Sequence, residues 1–309
     1  MEIPDLSKPL RIEPPIACPL CNELLRYDDT LITLEYFSGS LPTCPKCGKN
    51  IDWLVAVLRA VKMEHFNFLI LAPIGVQSIV VKVLLKPGQQ YLLDFRKYGL
   101  PDNAKILDLN YTPDGGGLFP LEMQGNSPLR ERERLVRNLY PVALLKHTSD
   151  AGDTNVNVLV SWISHTAEDI SWQNLVDSFI AYSEGNFNRA IIPANVAIES
   201  KLAQLMDNVL QRFAAKRTVE DFLKDAATYS HQLNVLLPLI AHILKVPMLP
   251  EKIRGQLNRL RGHRHKLAHE GKLFSPLTRE DIAELIVAAL FSFHYLRLVE
   301  DSVSKRFSA

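Results

Sequence analysis

Apolar residues along the chain change period twice, and the changes divide it into residues 1–65, 66–165 and 166–309. In the first region Leu31, Ile32, Leu34, Tyr36 and Phe37 form a β-type run that predicts a strand. Trp53, Leu54, Val57, Leu58 and Val61 then recur at helical spacing behind Asn50 and Asp52, either of which can cap a short helix. The second region carries short β-type runs. Ile79 to Leu85 is mostly β-branched and apolar, and Leu107, Leu109 and Tyr111 alternate with polar neighbours, as do Val156, Val158, Val160 and Trp162. Pro87-Gly88, Gly99-Leu100-Pro101 and Pro113-Asp114-Gly115-Gly116-Gly117 supply turns, and several short strands at this spacing predict a β-sandwich.

From Ser171 onward the period is helical. A stripe of Ala194, Ala197, Ile198, Leu202, Leu205, Val209 and Phe213 predicts a helix that opens near Pro193. Thr218-Val219-Glu220-Asp221 has the pattern of a capping box and starts a second helix through Phe222, Leu223, Ala226, Leu233, Leu236, Leu237 and Ile240, with a kink expected at Pro238. A third helix runs from Glu251 to Glu270 and ends at Gly271, a residue suited to a helix C-terminus. Thr278 and Asp281 cap a fourth, striped by Ile282, Leu285, Ile286, Ala289, Leu290, Phe293 and Leu296. Four such helices with short links predict an antiparallel bundle, so the fold class is α+β and multidomain.

Composition narrows the class only a little. With 309 residues, 47% hydrophobic and 22% charged, the chain is globular in composition rather than disordered or fibrous, and long enough for two or three cores. The net charge of +1 is uninformative, but its distribution is not. Between Glu251 and Lys272 there are Lys252, Arg254, Arg259, Arg261, Arg264, Lys266 and Lys272 against Glu251 and Glu270, a local excess of five positive charges. The N-terminus lacks the basic start and apolar run of a secretory signal, and no stretch approaches the ~18 uncharged apolar residues of a membrane span, so a cytoplasmic protein with no membrane partner is expected.

The cysteines carry the first specific chemistry. Cys18-Pro19-Leu20-Cys21-Asn22 and Cys44-Pro45-Lys46-Cys47-Gly48 are matched elements 22 residues apart, and the rest of the chain contains no cysteine. A Cys-x-x-Cys turn places two thiolates close enough to share one ion, and two such turns complete a tetrahedron. Cys18, Cys21, Cys44 and Cys47 are therefore expected to hold one structural Zn2+ in a module resembling a zinc ribbon. A redox dithiol is the weaker reading, because it uses one Cys-x-x-Cys at a helix start. With all four positions filled by protein, no coordination position remains for a substrate.

The third helix carries the second. At 100° per residue, Ile253, Leu257, Leu260 and Leu267 fall within about 40° of a common direction, and Arg264 lies inside that stripe at about 20°. A lone buried guanidinium is costly, so Arg264 must meet a carboxylate, a partner subunit or a phosphate. His265 and His269 lie near about 120° and 160°, beside Arg254 and Arg261, whereas His263 is about 160° from His265 and cannot share a three-imidazole metal site with them.

Leu260-Arg261-Gly262-His263-Arg264-His265-Lys266-Leu267-Ala268-His269-Glu270-Gly271 resembles the HEPN superfamily, whose mark is Arg, a polar residue and then His late in a helix of a small bundle. Arg264 takes the place of the Arg, His265 of the polar residue, more often Asn, and His269 of the His. The resemblance covers roughly residues 170 to 300. It implies a homodimer or higher homo-oligomer in which two such helices meet and form a metal-independent endoribonuclease site, with antiviral defence or growth arrest as the role. His269 would move protons and Arg264 clamp the phosphate, so that the RNA 2′-OH attacks the adjacent phosphorus and leaves a 2′,3′-cyclic phosphate. Arg254, Arg261 and Lys266 would bind the RNA backbone. Glu199, on the inner side of an apolar helix, is a candidate partner of Arg264 or His269, the alternative being an ordinary surface carboxylate. The alternative is a noncatalytic RNA-binding or assembly protein using the same basic helix.

Overall fold

A computed structural model of the chain describes residues 10–12, 16–25, 35–62, 70–86, 90–93, 95–101, 104–113, 121–124, 142–146, 153–164, 169–271 and 275–307. In chain order, strand β1 (Leu10–Ile12) precedes a short hairpin, β2 (Ile16–Ala17) and β3 (Leu24–Leu25), and helix α1 (Trp53–Lys62). Strands β4 (Gln77–Leu85), β5 (Gln90–Leu93), β6 (Ala104–Pro113), β7 (Leu121–Gln124), β8 (Val142–Lys146) and β9 (Thr154–Ser164) follow. The C-terminal region is mostly helical: α2 (Ile170–Ser183), α3 (Phe187–Leu210), α4 (Lys216–Asp225), α5 (Leu237–Leu244), α6 (Glu251–Glu270) and α7 (Arg279–Phe307). The chain is thus α+β, and it gathers into two compact units, one of residues 1–14 and 75–166, the other of residues 15–74 and 167–309.

In the first unit, an antiparallel sheet has the order β1-β4-β9-β6, and β5, β8 and β7 form a smaller one. Alternation decides what the larger sheet buries. Ile79, Val81 and Val83 pair with Val160, Val158 and Val156, and all six are buried with Trp162 and Ile106. Leu107 is the extra residue of a bulge in β6, where Ile106 pairs with Trp162 but Asp108 already pairs with Ser161. The bulge shifts the register, so that Leu109 and Tyr111 oppose Val160 and Val158. Of the expected turns, Gly99-Leu100-Pro101 is present, with Gly99 at φ 93°, while Pro87-Gly88 and Asp114 to Gly117 lie outside the described residues.

The second unit is organised by α7. Its stripe from Ile282 to Leu296 is buried, and α3 and α6 pack on it, as does α1. By length and composition α7 could cross a membrane, although Glu284 and Arg297 interrupt its apolar run, and 83% of its apolar window is buried inside the protein. It is the core helix of this unit. Thr278 and Asp281 cap it as expected: the Thr278 hydroxyl accepts from the Asp281 N–H at 3.1 Å, and the Asp281 carboxylate accepts from the Thr278 N–H at 3.0 Å. Asp52 likewise caps α1, accepting from Leu54 and Val55 at 2.9 and 3.2 Å.

Several sequence expectations are corrected. Residues 35–38, the described part of the expected strand, form a helical turn; residues 31–34 lie outside the described set. The rings of Tyr36 and Phe37 both reach α7, at Phe291 and Tyr295 with centroids 5.0 Å apart in each case, whereas a strand would send neighbours to opposite faces. Helix α3 opens at Phe187 and keeps Pro193 inside it, at the loss of one backbone hydrogen bond. It ends before Phe213, which is 70% exposed. Thr218 is not a cap, because α4 begins at Lys216 behind Ala215, and only Val219 of α4 is buried. That is too little to keep one helix in phase with Leu233, and the chain restarts at a short helical turn, Tyr229–His231. Ahead of Pro238 the backbone widens into a π-helical segment, Gln232–Leu236, which accommodates the proline where a kink was expected.

Candidate metal centre and basic-helix site

The two cysteine turns have the same backbone. In the first, the Cys18 N–H donates to the Glu23 carbonyl at 2.7 Å and the Asn22 N–H to the Cys18 carbonyl at 3.0 Å. In the second, the Cys44 N–H donates to the Lys49 carbonyl at 2.9 Å and the Gly48 N–H to the Cys44 carbonyl at 2.9 Å. Asn22 and Gly48 occupy equivalent places, both left-handed, at φ 63° and 68°. The four sulfurs lie within 4.8 Å of one another, with Cys18–Cys47 at 4.0 Å and Cys21–Cys44 at 3.6 Å. Four sulfurs at a Zn–S distance of about 2.3 Å would sit about 3.8 Å apart along each tetrahedral edge, so the donor set fits a zinc-sized ion. Backbone N–H groups of Cys47 and Lys46 pull the Cys44 thiol down to about 7, against the effect of burial. At Cys21 the Glu23 amide favours the thiolate, but burial and the neighbouring thiols outweigh it and push the thiol up to about 12. The donor set could hold a metal ion, and a bound cation would favour the thiolate at all four positions.

This centre is latched to the helical core. Arg59 of α1 donates to the Pro19 carbonyl at 2.8 Å and approaches that of Cys18 at 3.5 Å. The Trp53 indole donates to Glu35 at 2.8 Å. One turn from Arg59, Lys62 pairs with Glu284 of α7 at 3.5 Å, and the other oxygen of Glu284 accepts from Gln256 of α6 at 3.1 Å. Glu284 thus joins the cysteine-bearing segment to the basic helix.

Helix α6 follows the wheel except at Leu267, an expected core residue that is only half-buried. Ile253, Leu257 and Leu260 are buried, each worth about 1.5–3 kcal/mol of burial, and the left-handed Gly271, at φ 66°, ends the helix. Gly255 and Gly262 do not break it. Arg264 is half-buried, its Nε fully so, and its guanidinium has no hydrogen bond or ion pair among the described residues. His265 and His269 are exposed, with ring centroids 4.6 Å apart and planes inclined by 51°. His263 is buried on the other side, where burial first and then the Arg259 charge hold its imidazole below the ordinary value, opposed by Asp281.

The expected RNA contacts divide. Arg254 is half-buried and its side chain has no polar partner among the described residues, Arg261 lies 5.6 Å over the Tyr229 ring, and Lys266 is held by Glu270 at 2.6 Å. Lys272 lies outside the described residues. Glu199 meets neither Arg264 nor His269 in a hydrogen bond; it accepts from the fully buried Asn195 at 3.0 Å. Burial, followed by the Glu199 charge, pushes the Tyr229 phenol upward, with Arg261 opposing. Asn195 and Tyr229 were not singled out in the sequence. The one available signal was the spacing of Asn195 and Glu199, four apart on one helix face. The chain matches no family model, no curated protein and no solved structure.

Proposed function

We propose that the chain is a metal-independent endoribonuclease of the HEPN kind, with a structural zinc in a zinc-ribbon module, a β-sandwich and a C-terminal four-helix bundle. The observation that carries this reading is Arg264. Its guanidinium is permanently charged and partly desolvated, lacks a partner among the described residues, and lies on the same helix as the exposed pair His265 and His269. An anion at that position would supply the missing partner, and Arg is the side chain suited to clamp a phosphate. His269 would take the proton of the RNA 2′-OH as its oxygen attacks phosphorus. The 5′-oxygen would leave with a proton from a second imidazole, giving a 2′,3′-cyclic phosphate and a 5′-OH.

One Arg264 and one His269 per chain are too few for acid, base and clamp, so the active form is a homodimer joined through α6. Gly255 and Gly262, seven apart, support this. An added Cβ would meet nothing within 4 Å at either, so the outer face of α6 is open to close approach by a partner helix. Antiviral defence or growth arrest is the role such an enzyme would serve.

Incubation with a mixed RNA pool, followed by mapping of the ends, tests the reading. Cleavage should leave cyclic phosphate ends, survive brief EDTA, and fall by roughly 100- to 10,000-fold in His269→Ala with RNA binding retained. Binding without cleavage would assign α6 to RNA recognition alone.

A further inference from the structure

Among the described residues, His265 and His269 also have the geometry of a site the ribonuclease reading does not use. Residues four apart on a helix have Cβ atoms about 5–6 Å from one another, which lets two imidazoles reach one ion from the same face. A metal–nitrogen bond of about 2.05 Å, plus roughly 1.1 Å from nitrogen to ring centre, puts each centroid about 3.2 Å from the ion. Two such rings stand about 5.1 Å apart at a tetrahedral ion and about 4.5 Å apart at the right angle of a tetragonal one. The observed separation is 4.6 Å. Both side chains are exposed, so χ2 rotation can turn a nitrogen of each ring to a common point.

We propose that His265 and His269 form a second, exchangeable metal site that takes a divalent transition-metal ion of the imidazole-preferring kind, Zn2+, Cu2+ or Ni2+. It differs in character from the four-cysteine centre. Two imidazoles leave the ion's remaining positions to water, and among the described residues no carboxylate completes the set, since Glu270 is held by Lys266 at 2.6 Å. Arg254 and Arg261 on the same flank weaken the hold further. The site therefore responds to the concentration of free ion, whereas the cysteine centre stays loaded. Resting on the ribonuclease reading, it has a regulatory consequence: the bound ion occupies the lone pair that His269 needs to accept a proton, so the metal inhibits cleavage and a chelator restores it.

The test is calorimetric titration of the full, zinc-loaded chain with Ni2+, which reads binding without any RNA. Saturable binding of one Ni2+ per chain is expected, lost in His265→Ala and in His269→Ala but kept in His242→Ala, whose imidazole is exposed elsewhere. Because His265 and His269 are also exposed, both variants should melt at the parent's temperature, which confirms that lost binding is not lost folding. A parent titration indistinguishable from that of His265→Ala, or saturable binding that survives in both single variants, overturns the proposal. A protein that binds Ni2+ at this pair yet leaves RNA intact in metal-free buffer keeps the chelate and overturns the ribonuclease reading.

Discussion

Replacing Cys44 by Ser should destabilise the helical core, not merely the segment that carries the cysteine. The sequence places the cysteine module in a region of its own, residues 1–65, apart from the helices of residues 166–309. The contacts point the other way, because the helical turn at residues 35–38, α1 and the two cysteine turns share a unit with α7. Phe37 is buried against Tyr295, Tyr36 meets Phe291 edge to face, and Trp53 donates to Glu35. Burial of Phe37 contributes about 1.5–3 kcal/mol, each aromatic pair about 0.5–1.5, and the indole hydrogen bond about 1. Losing the metal should forfeit most of this, about 3–6 kcal/mol, which for a unit of about two hundred residues lowers Tm by roughly 6–24 °C. Far-UV circular dichroism, dominated by the C-terminal helices, is the measurement, with elemental analysis to confirm that zinc has gone. If Cys44→Ser has lost its zinc and its helices still melt at the parent's temperature, the coupling does not exist.

Three further outcomes follow from single contacts. The folded pKa of His263 lies below the ordinary 6.5, so as pH falls through 6.5 the unfolded chain gains its proton first; stability is full above that value and declines below it. Thermal melts from about pH 7.5 to 5.5 should therefore show a shallower loss in His263→Gln than in the parent, and equal slopes would exclude the effect. Asp281→Ala removes the cap on Thr278 and the 3.2 Å pair with Arg259, and urea denaturation should read a loss of about 1–2 kcal/mol. Arg264→Met should leave stability unchanged or raise it while RNA affinity falls, measured by thermal melt and filter binding; a sharp loss of stability would mean that the guanidinium serves the fold.

What could be read from the chain was what local geometry decides. A tetrahedral site needs two thiolates per turn and a left-handed residue to close the turn, and Asn22 and Gly48 stand where that residue must be. The faces of α6 were equally readable, since a straight helix fixes that Ile253, Leu257 and Leu260 go in while His265 and His269 stay out. Distant partners could not be read. Tyr36 and Phe37 look like strand residues until Phe291 and Tyr295, more than 250 positions later, draw both rings to one side. The bulge at Leu107 is silent in an alternating pattern, because an inserted residue changes which neighbours pair without changing composition. Glu199 was placed on the correct inner side of its helix, but Asn195, one turn earlier and fully buried, is the donor it serves.

Arg264 ties these observations to function through a cost. Among the described residues, the buried Lys201 meets Glu300 at 2.7 Å, and the more exposed Arg259 and Arg297 meet Asp281 and Asp169. Those charges are answered within the chain, whereas Arg254 and Arg264, both half-buried on α6, have no carboxylate partner among the described residues. Glu199, the candidate partner of Arg264, serves Asn195 instead, and Glu270 pairs with Lys266. An apolar residue would fill the same stripe without the desolvation penalty, so folding alone gives no reason for a guanidinium there. On the ribonuclease reading, an RNA phosphate drawn to the basic flank of α6 supplies the missing negative charge, which is why Arg264→Met should cost RNA affinity rather than stability.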